Sequence, residues 1–556
     1  MSSNATATRD ALPAVEQDRA QDAPYVRKSS GLVRDVPFLD MFLMNASSSN
    51  PVGIAVAYGI FFAMATFPRC NLLLAIVIAL VLGAFVWVTF ALVSATLPRV
   101  GGDYLYGSRL LHPIIGMGSN LATYVGSVLA AGTAAYFVAS VAVGPAMTII
   151  GVVTGNKWWV TAGTTVSTGW PAFAIAGGTL VVLSLLSLTG TKKVTRVMVW
   201  LYGIAFVAFG VSILILLFKT RAGFIHDVNA YTKSITGKGN AYQATIAAGA
   251  KGGLATGGGY SFKNTMGAVF VVLGYTMFAF WSSTYMAGEM KGSGRRSRQL
   301  GAMVGGGAFG GILVLVSAAI YLHTAGYDFV AASSNGYYPV GVTPFLHFFA
   351  SIAAGGGTFL AIVLGVAFIG WFPVALYAGN LNMVQRAPFA WAFDGLIPAK
   401  VAAVDRRTNT PVVSILLACG LGLAAAAWAC WSSKSIFSLI STFTLLLFVP
   451  VIVTGVAAVV MPWFRPDIYR ASPSDWKIAG IPVIVVAGLG TVAVGILAFV
   501  LVGVFASNLG IKHVALTLLL PVIGFAIAAV YYYAVRAVRR RNGVELDLVY
   551  KTIPPA

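Results

Sequence analysis

The chain is short of nearly everything a soluble catalyst needs. Its three cysteines, Cys70, Cys419 and Cys430, are too few and too scattered for a disulfide framework or a CxxC metal site, which argues against redox chemistry. Its five histidines, His112, His226, His323, His347 and His513, are isolated at span ends or in loops. No His/carboxylate or His/Cys cluster is therefore present to serve a membrane-embedded acyl- or glycosyltransferase, and nothing calls for a metal or another cofactor. Charged residues make up 9% of the chain, and the 36 Lys and Arg all fall outside its apolar runs. Residues 1–30 are polar with no apolar core, which excludes a secretory signal. Runs such as LLLAIVIALVLGAFVWVTFALV (72–93) do not alternate, which rules out an outer-membrane barrel.

What remains is apolar. Hydrophobic residues account for 58% of the 556 positions and the mean hydropathy is +0.85. They come in blocks of roughly 20 or more, matching the ~30 Å hydrocarbon core, so the fold expected is all-α and polytopic. Twelve spans are read, from 37–66 to 511–535. With the N-terminus inside, most Lys and Arg fall on cytoplasmic segments, giving a multi-pass protein of the cytoplasmic membrane with both ends cytoplasmic. The net charge of +20 thus records orientation and contact with anionic lipid heads, and no aromatic-interleaved basic patch argues for nucleic acid. The expected organisation is a disordered cytoplasmic tail (1–35), a core (36–462), two further spans (463–536) and a cytoplasmic C-terminal tail (537–556). Segment 219–265, rich in Gly, Ala, Lys and Tyr with little periodicity, reads as a mobile extracellular loop.

Two spans are interrupted. In MFLMNASSSNPVGIAVAYGIFF (41–62), Asn45, Ser47, Ser48, Ser49, Asn50 and Pro51 occupy the middle of the first span. In the sixth, VVLGYTMFAFWSSTYMAGEMKGSGRR (271–296), the apolar run breaks at Trp281-Ser282-Ser283-Thr284. Spans 1–10 divide into two sets of five, about 36–218 and 266–462, and the interruptions hold matching positions. Five is odd, so the second set enters the membrane from the opposite side, giving an inverted repeat whose broken helices mark a midplane binding site. Polar residues that merely glue helices together are the competing reading of either break alone. Unwinding frees backbone groups that cost roughly 2–7 kcal/mol each when left unsatisfied in a membrane. A polar substrate satisfies them: half-helix N-termini favour a carboxylate and carbonyl ends an ammonium, so the pair suits a zwitterion such as an amino acid.

Three loops carry a family resemblance. LPRVGGDYLYGSRLLHPIIG (97–116) resembles the P-x-x-G-G-x-Y-x-Y-x-x-R-x-x-x-P-x-x-G loop of the amino acid-polyamine-organocation superfamily of permeases. AGEMKGSGRR (287–296) is similar to its G-E-x-K element, and QRAPFAWAFDGLIPAKVAAVDRRTNTP (385–411) to its R-x-x-x-A-x-x-x-D-G-x-x-P block followed by T-P. The resemblance implies a LeuT-type fold and a secondary transporter for amino acids or related amines, working by alternating access. It also implies that the opened segments of spans 1 and 6 hold the substrate. Carried over by position, Pro51-Val52-Gly53 falls on the family's carboxylate-binding G-x-G. Proline has no N–H, so the hydroxyls of Ser48 and Ser49 and the amide of Asn50 are the donors left beside Gly53. In span 6, Phe278-Ala279-Phe280 fits F-A-[FY], followed by Trp281, Ser282 and Ser283; Trp281 there covers the substrate, stacks on a cation or simply packs.

Acids inside the bilayer are scarce. Asp40 lies near the start of span 1, at the family's acidic position, and Glu289 lies at the cytoplasmic end of span 6. Glu289 reads as a gate acid pairing with Arg109 or Arg386, against an ordinary interfacial salt bridge. Span 8 (LGVAFIGWFPVAL, 364–376) has no Ser or Thr to ligate sodium, and span 5 (199–218) has no lysine. Exchange, facilitated diffusion and proton coupling through Asp40 or Glu289 stay open. A sensor or channel on the same fold is the alternative function.

Overall fold

The computed structural model describes residues 31–48, 60–340, 345–355, 357–432 and 436–551. Among these, ten helices are long and apolar enough to cross a membrane. Their uniformity follows from composition: Leu72–Thr96 is apolar on all sides, so it is compatible with packed protein on one face and lipid on the other. Starts and stops are set locally. Asn71 caps that helix by accepting from the Leu74 amide at 3.0 Å, Pro113 opens the next span, and Gly155 closes Pro113–Thr154 in the left-handed conformation.

Two further apolar segments each contain two helices. The first holds Phe38–Ser48 and Ile60–Thr66, with the stretch between them outside the described residues; Asn45, Ser47 and Ser48, expected in the interruption, lie instead within the helix Phe38–Ser48. The second comprises Phe262–Thr276 and Trp281–Tyr285. Here the sequence reading is corrected. The break falls at Met277–Phe280, four residues before the expected Trp281-Ser282-Ser283-Thr284, which forms a helical turn. The unwound residues are apolar and packed, Phe278 against Phe448 and Phe280 against Phe90, so hydropathy does not mark them.

Three other expectations change. Segment 219–265 forms two helices, Arg221–Thr236 and Ala241–Lys251, rather than an irregular loop. Thr220 caps the first, Gly237 ends it, and Tyr242 stacks on Phe329 at 4.6 Å. Residues 31–35, assigned to the tail, lie against the protein, with Arg34 donating to the Pro98 carbonyl at 3.2 Å; residues 1–30 lie outside the described residues. The last long helix, Val514–Arg541, runs beyond the expected span end, and Leu546–Lys551 forms one more turn packed on the helix Asp103–Leu110.

Candidate functional site

The helix Phe38–Ser48 and the short helix Trp281–Tyr285 are stapled together by side chains. Asn45 donates from Nδ2 to Ser283 Oγ (2.6 Å) and to the Ala302 carbonyl (3.0 Å), while its Oδ1 accepts from the Ser283 amide (3.0 Å). Fully buried, this amide is satisfied on both ends, which makes the contact rigid. One turn on, the Ala378 carbonyl accepts from Ser48 Oγ (3.0 Å), Ser282 Oγ (3.1 Å) and Asn382 Nδ2 (2.9 Å). Ala378 sits in the wide π-helical turn Tyr377–Leu381, whose looser ladder frees a carbonyl for partners outside the helix. Three elements spread over more than 300 residues of sequence thereby meet at one oxygen.

Beside this junction lies a cavity of about 290 Å³. Ser48 and Trp281 line it, with Thr133, Phe137, Asn380 and Thr444 among the other walls. It extends to Thr66 and the exposed Asn508 and Gly510 at one end of the bundle. Of the sequence candidates, Ser282 and Ser283 are used up in the junction. Phe280 stacks on Phe90 at 3.9 Å and packs into the neighbouring helix. Ser49, Asn50, Pro51 and Gly53 lie outside the described residues.

The opposite end is closed by three layers of contacts. Glu289 pairs with Arg386 (Nε to Oε1, 2.6 Å; Nη2 to Oε2, 3.2 Å), both side chains at most 7% exposed, and accepts a short bond from Thr191. Val36 bridges Met290 in parallel: its amide donates to the Glu289 carbonyl and its carbonyl accepts from Lys291, each at 3.0 Å. Arg109, the other partner considered for Glu289, instead binds Asp394 through Nη2 at 2.7 and 2.8 Å, with both side chains 1% exposed. Tyr104 donates to the same carboxylate at 2.8 Å, and Tyr550 covers the guanidinium with its ring at 4.7 Å. Burial pushes the Arg109 pKa down, but the adjacent Asp394 charge and its hydrogen bond, together with Tyr104 and Tyr550, more than offset this and hold the guanidinium protonated. Asp40 is half-buried, with Arg196 and Lys192 as the cations acting on it.

One carboxylate was not singled out by the sequence. Asp103, fully buried in the Asp103–Leu110 loop helix, accepts from Ser119 Oγ (3.1 Å), Asn120 Nδ2 (2.9 Å), Thr123 Oγ1 (3.1 Å) and Tyr285 OH. Burial pushes its pKa up, and these four donors pull it part of the way back. Gly102 makes the approach possible: at φ 54°, ψ −132° its backbone is open to glycine alone, and a Cβ there would lie 2.9 Å from the Tyr285 ring. The signal was present in GGDY, but its partners are brought in only by the fold. Among the described residues no His/Cys/Asp/Glu group could hold a metal ion.

None of the curated proteins matches the chain. A family model described as amino acid permease matches residues 38–534, from the helix Phe38–Ser48 to near the end of the last long one. That match covers most of the chain, so the protein belongs to the amino acid permeases of the amino acid-polyamine-organocation superfamily.

Proposed function

We propose that the protein is a secondary transporter that moves amino acids or related amines across the cytoplasmic membrane by alternating access, with substrate held where the two broken helices meet. The observation that carries this is the asymmetry of the junction. A cavity walled by Ser48 and Trp281 runs toward Thr66 and Asn508, while the other end is sealed by Glu289–Arg386 and the Val36–Met290 bridge. With both termini in the cytoplasm, this is an outward-facing state with its inner gate shut. Counting each broken helix as one span brings the ten long helices to the expected twelve, arranged as inverted repeats about 36–218 and 266–462. Ser49, Asn50 and Gly53, outside the described residues, are proposed from the sequence as further substrate-binding residues. Asp40 and the Glu289–Arg386 pair act in gating, and Arg109–Asp394 braces the loop beneath them.

A sensor or channel on this fold is the second reading, since the same pocket would serve binding without carriage. Counterflow into proteoliposomes separates them. Entry of labelled amino acid that depends on unlabelled amino acid inside supports a carrier, and binding without counterflow supports a sensor.

A further inference from the structure

Resting on the reading of the cavity as the substrate site, we propose that the substrate is an amino acid whose side chain is uncharged and apolar, and that dibasic amino acids, acidic amino acids and polyamines are rejected. Among the described residues that line the cavity, none carries a charged side chain. The α-ammonium and α-carboxylate of a zwitterion balance each other and meet helix ends, but a third charge has nothing to pair with.

The carboxylates nearest in the chain are committed elsewhere. Glu289 is bound to Arg386 and Thr191, and Asp103 is saturated by four donors. Asp40 stands eight residues before Ser48, about 12 Å along the helix at 1.5 Å per residue. An isolated ammonium taken into such a space loses far more hydration than it recovers.

Aromatic faces are the remaining way to hold a cation. Six aromatics line the cavity, yet Trp281 has Phe278 stacked at 5.5 Å and Phe280 and Tyr285 edge-on at 4.7 and 5.7 Å. It is an apolar wall rather than an open platform. The polar lining is hydroxyl and amide only. Thr133, 2% exposed, has a hydroxyl with no hydrogen-bond partner among the described residues, a group suited to the substrate's polar head. Thr444 lies across from the carbonyl end of Phe262–Thr276, close enough that a Cβ on Gly274 would meet its methyl at 3.1 Å.

Thermal unfolding of the purified full-length protein reads binding whether or not carriage occurs. L-leucine or L-phenylalanine should stabilise it at concentrations at least about a hundredfold below those needed for L-lysine, L-glutamate or putrescine. Equal potency of lysine or putrescine, or no stabilisation by any apolar amino acid, overturns the assignment. Binding of leucine without counterflow upholds it and sinks the carrier reading instead. Thr444→Asp should narrow the gap between leucine and lysine at least tenfold, with Thr133→Asp as a second variant should the first not fold. A folded acidic variant that leaves the gap unchanged removes this cavity as the source of selectivity.

Discussion

Replacing Glu289 with glutamine tests the proposed inner gate because the Glu289–Arg386 pair fixes where the penalty falls. Glutamine keeps the volume and a hydrogen bond to Thr191 but removes the charge, stranding an Arg386 side chain that is only 7% exposed. Breaking one partner of a buried ion pair costs about 3–5 kcal/mol, most of it from the charge left behind. In an inward-open state the guanidinium reaches water, so only the closed gate is penalised. At about 1.4 kcal/mol per tenfold, even the lower end of that range moves the equilibrium roughly a hundredfold toward the inward-open state. A protein that starts 10:1 outward-facing becomes about 10:1 inward-facing. The assay is labelling of Thr66→Cys, at the cavity mouth, by an impermeant maleimide from outside, with the three native cysteines replaced. Labelling should slow about tenfold in Glu289→Gln and recover in Glu289→Gln/Arg386→Met, which removes the stranded charge. Unchanged labelling with a lowered unfolding temperature would refute the reasoning and leave the pair a structural salt bridge.

Other consequences follow from the same contacts. Burial raises the Asp103 pKa, so the folded state holds its proton to higher pH than the unfolded chain. Stability therefore declines as pH rises from the ordinary carboxylate value to the raised one and is flat above it. Asp103→Asn should abolish that slope in melting temperature against pH, and an unaltered slope contradicts the assignment. Gly102→Ala should destabilise by about 1–3 kcal/mol from backbone strain alone, with overlap on Tyr285 adding to it; thermal unfolding indistinguishable from wild type argues against the close approach. Ser49→Ala, Asn50→Ala and Trp281→Ala should each abolish substrate binding while the protein inserts and stays monodisperse. Unchanged affinity in all three removes the site assignment.

The first interruption was expected at NASSSNP, but Asn45, Ser47 and Ser48 lie within the helix Phe38–Ser48, and Ser49 to Pro51 lie outside the described residues. The second was misplaced because its unwound residues, Met277 to Phe280, are themselves apolar and find packing partners. The hydroxyls of Ser282 and Ser283, which looked like the break, are bonded to the Ala378 carbonyl and to Asn45. Glu289 stood out as an acid at a span end, but choosing Arg386 over Arg109 required knowing which helices adjoin. The Asp394 partner of Arg109 comes from a loop 285 residues away. Nothing in the sequence marks Val36, whose bridge to Met290 depends on two backbone segments lying side by side. Asp103 is the clearest omission, since Ser119 and Thr123 share a helix face but gain meaning only once the preceding loop folds back onto it.

Alternating access through this gate is tested most directly by locking it. Val36 and Met290 pair as parallel strand neighbours, about 4.8 Å apart in backbone, a separation a disulfide spans. In a background without the native cysteines, Val36→Cys/Met290→Cys reconstituted in proteoliposomes should lose amino acid counterflow on oxidation and regain it on reduction, while the oxidised form still binds amino acid in detergent. Counterflow that continues at full rate in the cross-linked protein would contradict the account.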